Sequence, residues 1–217
     1  MTIWDDRAQA YRESTDHSSG EDLDRVVEWC EPGEGVKALD VATGGGHVAR
    51  RLREEGCEVV TLDPSPGMQP DVVARAEHIP FDDGSFDVVV TRIAPHHFED
   101  IGEALAEMER VSNRLVVIED TLYSSDSHEE AERLRDPSHV RNYTEDEWKD
   151  MLVEAGLEVE QVERFEKSHP LDAWLARTGC EGDEAERVRE LLADRTTPDG
   201  KAWTDEKIVL KARKSQS

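Results

Sequence analysis

Three consecutive glycines separate an apolar run from a helix-like stretch in VKALDVATGGGHVARRL, residues 36–52. Gly44, Gly46 and Ala49 match the G-x-G-x-x-[G/A] spacing of loops that bind dinucleotides. Glycines at a strand-to-helix turn let the backbone approach a ligand closely and tolerate positive φ. A tight turn can use glycine for steric reasons alone, so the spacing by itself does not identify a ligand.

Two aspartates narrow the choice of ligand. Asp63 lies at the end of the predicted strand in EVVTLDP, where an acid can accept hydrogen bonds from ribose hydroxyls. It could instead cap the SPGM turn that follows. Asp40 precedes the glycines, close to the helix N-terminus where a dinucleotide would place its pyrophosphate. A carboxylate there repels phosphate and suits a ligand with a cationic amino group. S-adenosylmethionine (SAM), with its adenosine, ammonium and sulfonium, fits that description.

A pair of histidines, His96 and His97, follows the apolar run FDVVVTRI. Open α/β folds bind ligands at the carboxyl ends of their strands, and a histidine there can remove a proton near neutral pH. The pair could equally pack or cap the next helix. We take His97 as the candidate catalytic base. No cluster of acids or cysteines with ligand spacing accompanies the pair, so no metal site is predicted.

Alternating strands and helices must position these residues. Strands are predicted at 36–42, 58–64, 71–77, 86–93 and 114–122, and helices at 47–56 and 101–111. Such alternation is typical of a parallel, doubly wound sheet. Beyond residue 123, helices are predicted at 125–137, 144–156, 170–178 and 184–194, and strands at 157–166 and 203–214. Thr144 and Glu147 form a capping-box pattern at the start of the second of these helices.

The chain is strongly acidic. It has 217 residues, 51 Asp and Glu against 26 Lys and Arg, and a formal net charge of −25. The acids are spread along the chain, which is typical of a solvated surface, and nucleic-acid binding is disfavoured because it needs a basic face. We interpret the charge as adaptation to a high-salt cytoplasm; the alternative is an ordinary acidic bacterial enzyme.

The remaining composition favours a cytoplasmic protein. Cys30, Cys57 and Cys180 are scattered, without a C-x-x-C motif, so neither a disulfide framework nor a zinc site is predicted. The first residues are charged throughout, unlike a signal peptide. No apolar stretch approaches the roughly 20 residues of a membrane span. We therefore expect no membrane partner.

Three motifs in order resemble the class I SAM-dependent methyltransferases, in the group that includes the ubiquinone/menaquinone biosynthesis enzymes. They are VKALDVATGGGHVARRL, VVTLDPSPGM and AEHIPFDDGSFDVVVTRIAPHHFED. The resemblance implies an α/β, doubly wound, mostly parallel seven-stranded (Rossmann-like) sheet with one antiparallel strand. It also implies an N-terminal helical lid and a helical insertion before the last strand. The chain is then one domain, 1–217: a helical lead-in or lid at 1–33, a SAM-binding core at 34–122, and substrate-side helices with the last two strands at 123–217.

The resemblance also implies a set of cofactor-binding residues. Those expected around SAM are Asp40, Ala42, Thr43, Gly44, Gly46, Asp63, Pro64, Ser65, Met68, Ala76, Glu77 and Arg92. Lid or substrate candidates are Tyr11, His17 and His96. Many relatives carry an acid before the Ala-Glu step that accepts from the adenine amino group. Here Arg75 occupies that position, so the adenine contact must come from elsewhere.

The expected activity is transfer of a methyl group from SAM to an unidentified small molecule, with S-adenosylhomocysteine as product. Two alternatives remain: an NAD-dependent oxidoreductase on a similar loop, and a non-catalytic SAM-binding protein. A homodimer is one possible assembly.

The high-salt interpretation predicts that the melting temperature rises from low salt to molar KCl, because counterions relieve repulsion among the surface acids. Thermal unfolding followed by circular dichroism over that range measures the effect. A melting temperature that stays constant or falls would contradict the interpretation.

Overall fold

The computed structural model describes residues 18–215, and its centre is a seven-stranded sheet. The strand order is β3-β2-β1-β4-β5-β7-β6. The strands are β1 (Lys37–Val41), β2 (Glu58–Asp63), β3 (Val72–Val73), β4 (Phe86–Arg92), β5 (Ser112–Thr121), β6 (Leu157–Pro170) and β7 (Ala202–Lys214). Strand β7 runs antiparallel to both of its neighbours, and the pairings among β1 to β5 are parallel. The predicted mixed, doubly wound sheet is confirmed.

Seven α-helices occur in the described part of the chain. They are α1 (Glu21–Trp29), α2 (His47–Glu54), α3 (Ile101–Val111), α4 (Asp126–Arg135), α5 (Glu145–Glu154), α6 (Leu171–Ala176) and α7 (Gly182–Leu191). Helices α6 and α7 lie between β6 and β7, as the predicted insertion before the last strand requires. None of the described helices is long and apolar enough to cross a membrane. The lid candidates Tyr11 and His17 fall outside the described residues.

Apolar cores cover both faces of the sheet. Leu39, Val89 and Val116 belong to one core, whereas their neighbours Ala38 and Val88 belong to the other. All five side chains are fully buried. Burial on both faces explains why the central strands read as continuous apolar runs rather than as alternating patterns.

A third apolar cluster joins the helical insertion to the sheet. Trp174 of α6 lies with its ring centroid 4.5 Å from that of Trp203 in β7, and Leu175 and Val188 complete the contact. The same cluster includes Ala131 of α4. The insertion is therefore packed against the second half of the domain through its own small core.

The predicted strand at 71–77 is wrong in length, because only Val72–Val73 pair with β2. Asp71 accepts hydrogen bonds from the backbone and side chain of Thr61 at 2.9 and 2.8 Å, which pins the start of the strand. The chain then turns, with the backbone N–H of His78 donating to the carbonyl of Arg75 at 3.1 Å. The turn ends the edge strand after two residues.

Helix α5 begins with the predicted capping box. The Thr144 hydroxyl accepts from the backbone N–H of Glu147 at 3.2 Å, and the Glu147 carboxylate accepts from the N–H of Thr144 at 2.8 Å. Trp148, in the first turn of this helix, is fully buried. The cap therefore fixes the start of a helix whose inner face contributes to the main core.

Replacing the capping hydroxyl should destabilise the protein measurably. We expect Thr144→Ala to lower the free energy of unfolding by about 1 kcal/mol, measured by urea denaturation. The control Thr144→Ser keeps the hydroxyl and should stay close to the wild-type value. Equal losses in both variants would show that the cap is not the cause.

Candidate functional site

The glycine turn between β1 and α2 is held by a buried carboxylate. Asp40, 2% exposed, accepts hydrogen bonds from the Thr43 hydroxyl at 2.6 Å and from the Ala49 backbone N–H at 3.1 Å. Left-handed φ values of 52° at Gly44 and 73° at Gly46 allow the chain to fold back between them. The turn thus wraps around the end of β1.

A second carboxylate binds the same turn from the neighbouring strand. Asp63, at the end of β2 and 6% exposed, accepts from the Gly44 N–H at 3.0 Å and from the Ser65 N–H at 2.9 Å. A Cβ built on Gly44 would approach only the Ala42 carbonyl oxygen, at 4.0 Å, so the space above the glycine is open. The turn therefore leaves its backbone accessible to a ligand.

Burial perturbs the first of these carboxylates. Removal from solvent raises the pKa of Asp40 from 3.8 to about 6, against the opposing hydrogen bonds from Thr43 and Ala49. The nearby charge of Asp63 adds to the rise. A cationic group placed beside Asp40 would reverse this rise, because it favours the ionised carboxylate.

A cavity of about 480 Å³ opens over the turn at the carboxyl edge of the sheet. Most of the predicted binding residues line it: Asp40, Ala42, Thr43, Gly44, Asp63, Pro64, Met68, Ala76, Glu77 and Arg92, together with His97. Gly46 and Ser65 are not in the lining. Ser65 is fully buried beneath it, and Gly46 supports the turn, with its N–H donating to the Thr43 carbonyl at 2.9 Å.

Arg92 reaches the cavity wall, but its guanidinium is bound to two carboxylates. Its nitrogens lie 2.6 Å from Asp22 of α1 and 2.5 Å from Glu119 of β5. Lys167 also contacts Asp22, at 2.7 Å. Burial raises the pKa of Glu119 to about 7 despite the neighbouring Arg92. These ion pairs connect helix α1 to the carboxyl ends of the central strands β4 and β5.

Arg75 also lines the cavity, and it too is paired with acids. It contacts Glu77 at 3.3 Å and Glu99 at 3.0 Å. The Glu77 carboxylate in addition accepts from the Glu99 backbone N–H at 2.9 Å. Arg75 therefore neutralises acids at the rim.

The two adjacent histidines have different surroundings. His96 Nδ1 lies 2.5 Å from Asp120 of β5, and His97 Nδ1 lies 3.1 Å from the Ser138 carbonyl oxygen. His97 lines the cavity, whereas His96 lies behind it. Burial lowers the pKa of His97 well below its ordinary value, and the neighbouring His96 lowers it further.

One part of the cavity wall is formed by residues for which the sequence contains no recognisable motif. Pro137, Ser138 and Val140 approach from the segment between α4 and α5, and the backbone N–H of Val140 donates to the His96 carbonyl at 2.8 Å. Ile93, also in the wall, has a left-handed φ of 50°, which is strained for a β-branched residue. The proline marks a loop, but nothing in the sequence indicates where that loop folds.

Comparison with known proteins agrees with this geometry. Residues 39–114 match a family model described as a methyltransferase domain. The uncharacterized methyltransferase YcgJ of Bacillus subtilis is 28% identical over 209 residues, which cover 86% of this chain and 83% of YcgJ. Demethylmenaquinone methyltransferase of Beutenbergia cavernae is 39% identical over 101 residues, covering 41% of each chain. BH2331 of Bacillus halodurans, assigned as a methyltransferase, has a solved structure with a TM-score of 0.81 and 26% identity; the match covers 91% of this chain and 100% of that one.

The family match places a methyltransferase domain at residues 39–114, and the sheet around it has the fold of class I methyltransferase structures. The resemblance drawn from the three sequence motifs is confirmed: the matched domain and the similar proteins, demethylmenaquinone methyltransferases among them, support an enzyme of the methyltransferase class.

The raised pKa of Asp40 should make stability depend on pH. Between 3.8 and about 6 the folded state holds a proton that the unfolded chain has lost, so this contribution is present at low pH and disappears as pH rises. Relative to Asp40→Asn, the wild-type free energy of unfolding should fall by about 1 kcal/mol between pH 5 and 7.5. Denaturant unfolding across that range measures the difference.

The exposed Asp71 provides a control for this measurement. Hydrogen bonds from Thr61 lower the pKa of Asp71, so its ionisation is complete below this range. The difference between wild type and Asp71→Asn should therefore stay constant from pH 5 to 7.5. A constant difference for Asp40→Asn as well would contradict a raised pKa at Asp40.

Proposed function

We propose that the protein transfers a methyl group from SAM to a small-molecule acceptor, with the cofactor bound in the cavity over the glycine turn. The observation that carries the proposal is the placement of Asp40 and Asp63, at the ends of adjacent strands, in the lining of an open cavity over the glycine turn. When bound, SAM supplies a methyl carbon already activated by its positively charged sulfur.

The lining matches the parts of SAM in chemical character. Asp63, at the end of β2, offers a carboxylate to the ribose hydroxyls. Pro64, Met68 and Ala76 provide an apolar surface for the adenine ring. Asp40 and the glycine turn face the amino-acid part, where the carboxylate favours an ammonium group. These roles follow the family resemblance residue by residue.

The same charges argue against a dinucleotide. A pyrophosphate at the glycine turn would lie beside the buried carboxylates of Asp40 and Asp63. Within the described residues, the arginines of the cavity wall are Arg75 and Arg92, and each already contacts two carboxylates. The cavity therefore offers an anionic ligand little compensation for its desolvation, which disfavours NAD.

The chain's own contribution to methyl transfer is chiefly positioning. Holding an acceptor in line with the methyl carbon can lower the barrier by several kcal/mol. Where the acceptor must lose a proton, we assign that proton to His97, whose ring lines the cavity and whose lowered pKa keeps it neutral near pH 7. A base of this kind contributes a factor of about 10² to 10⁴.

The proposal also covers how the acceptor is selected, where the protein is located and how it assembles. The acceptor is selected by residues of 123–217, and Tyr11, His17 and His96 remain lid or substrate candidates by the family resemblance. We propose that the protein is located in the cytoplasm. The proposal is supported by its three cysteines, which are buried free thiols and form no disulfide. The acidic surface supports a high-salt environment, and a homodimer is the assembly to test.

Calorimetry with three ligands tests the cofactor directly. In molar KCl, SAM and S-adenosylhomocysteine should bind and NADH should not. Asp63→Ala should weaken binding of S-adenosylhomocysteine by about a hundredfold or more, because it removes charged hydrogen bonds to the ribose. The control Asp71→Ala removes a carboxylate that lies outside the cavity lining and should leave affinity unchanged. Binding of NADH alone would refute the proposal.

A further inference from the structure

Two histidines in one turn, His96 and His97, contact groups of opposite character. The Nδ1 of His96 lies 2.5 Å from a carboxylate oxygen of Asp120. The Nδ1 of His97 lies 3.1 Å from the backbone carbonyl oxygen of Ser138 and 3.2 Å from its hydroxyl oxygen. One histidine therefore meets a negative charge, and the other meets neutral oxygens.

The contacts of Ser138 determine which nitrogen of His97 carries the proton. Its hydroxyl donates to Asp136 at 2.6 Å, so the hydroxyl oxygen is left to act as an acceptor toward His97. The backbone carbonyl oxygen can only accept. Because both oxygens facing Nδ1 are acceptors, Nδ1 must donate, and the neutral ring then has its lone pair on Nε2.

The two rings are close enough to influence each other's charge. Their centroids are 4.1 Å apart, and His139 lies 5.4 Å from His96 and 6.4 Å from His97. Burial acts to lower the pKa of His96, but the Asp120 carboxylate outweighs it and raises the pKa. A charged His96 in turn disfavours a second charge on His97.

The other titratable groups around the pair do not change this outcome. Glu132 of α4 supports the charge on His96, and Lys207 of β7 opposes it. Asp136 favours protonation of His97, and His139 disfavours it. The Asp120 carboxylate, acting against burial, sets the direction for His96, and burial together with the charge of His96 sets it for His97.

We propose that Asp120 and His96 are positioning residues: the charged His96–Asp120 pair holds His97 as a neutral imidazole with its proton on Nδ1. This inference rests on the proposed function, in which His97 takes the acceptor's proton. In that step the acceptor's carbon, oxygen or nitrogen bonds to the methyl carbon, the carbon–sulfur electron pair stays on the departing sulfur, and the acceptor's proton passes to Nε2. A base already protonated could not accept it.

Nitrogen-15 NMR of the histidine rings in the full chain tests the proposal without any ligand. At pH 7, His96 should show protons on both ring nitrogens, and His97 should show one on Nδ1 alone. Because the NMR measurement needs no ligand, its result is independent of the calorimetric test of SAM binding. A failure of the cofactor proposal appears as absent SAM binding, and a failure of this one appears in the ring signals.

Variants of the pair test the coupling. In Asp120→Asn, His96 loses its carboxylate partner and becomes neutral, so the midpoint of His97 titration should rise by about one unit or more. His96→Gln should produce the same rise, and it spares the backbone carbonyl of residue 96 that holds Val140. It therefore provides the test if the buried Asp120→Asn variant fails to fold.

Asp172→Asn is the matched control for lost charge. Its side chain is 88% exposed and pairs with Arg189 on the surface, so His97 should titrate as in the wild type. The proposal is overturned if wild-type His97 carries two ring protons at pH 7. It is also overturned if His97 titrates identically in the wild type and in the folded pair variants.

Discussion

The hydrogen bonds from the glycine turn to two buried carboxylates are the constraint on which the site depends. Asp40 and Asp63 lie at the ends of adjacent strands and accept three hydrogen bonds from the turn and the start of α2. Asp63 accepts a fourth from the backbone of Ser65, which follows β2. The turn sits where the strand order reverses, between β1 and β4, which is where open α/β sheets form their ligand crevice. Together with the hydrogen bond from the Gly46 N–H to the Thr43 carbonyl, those contacts hold the left-handed residues of the turn in place.

In the proposed function, the same carboxylates also give the cavity its selectivity. Buried charges are costly unless paired or hydrogen-bonded, and here the hydrogen bonds come from backbone and hydroxyl groups, which leave the negative charge in place. The arginines at the wall are bound to acids of their own, Arg92 to Asp22 and Glu119. In the proposed function, this charge distribution favours a cationic, adenosine-containing ligand over a phosphate-containing one.

Local patterns in the sequence predicted the framework well. Helix α3 begins and ends at the predicted residues, 101 and 111, because its apolar spacing is regular and Asp100 caps it. The central strands and the start of α5 were also predictable, because apolar runs and the capping box at Thr144 are local sequence patterns. The predicted length of strand β3 was too great, because a turn at Arg75 ends the strand and no change in side-chain type marks that turn.

The acceptor side could not be predicted in this way. The wall formed by Pro137, Ser138 and Val140 meets His97 across about 40 residues of chain, and the contact depends on backbone hydrogen bonds that no residue pattern encodes. The pairing of His96 with Asp120 likewise joins the turn after β4 to the end of β5, and neither segment has a motif that predicts the other. Partners of this kind become visible only in the folded chain.

A crystal structure of the protein with S-adenosylhomocysteine would test the central claim most directly. The account predicts ribose hydroxyls within hydrogen-bonding distance of the Asp63 carboxylate, adenine against Met68 and Ala76, and the amino-acid part over the glycine turn on the side of Asp40. A ligand bound elsewhere, or one whose ribose makes no contact with Asp63, would contradict it.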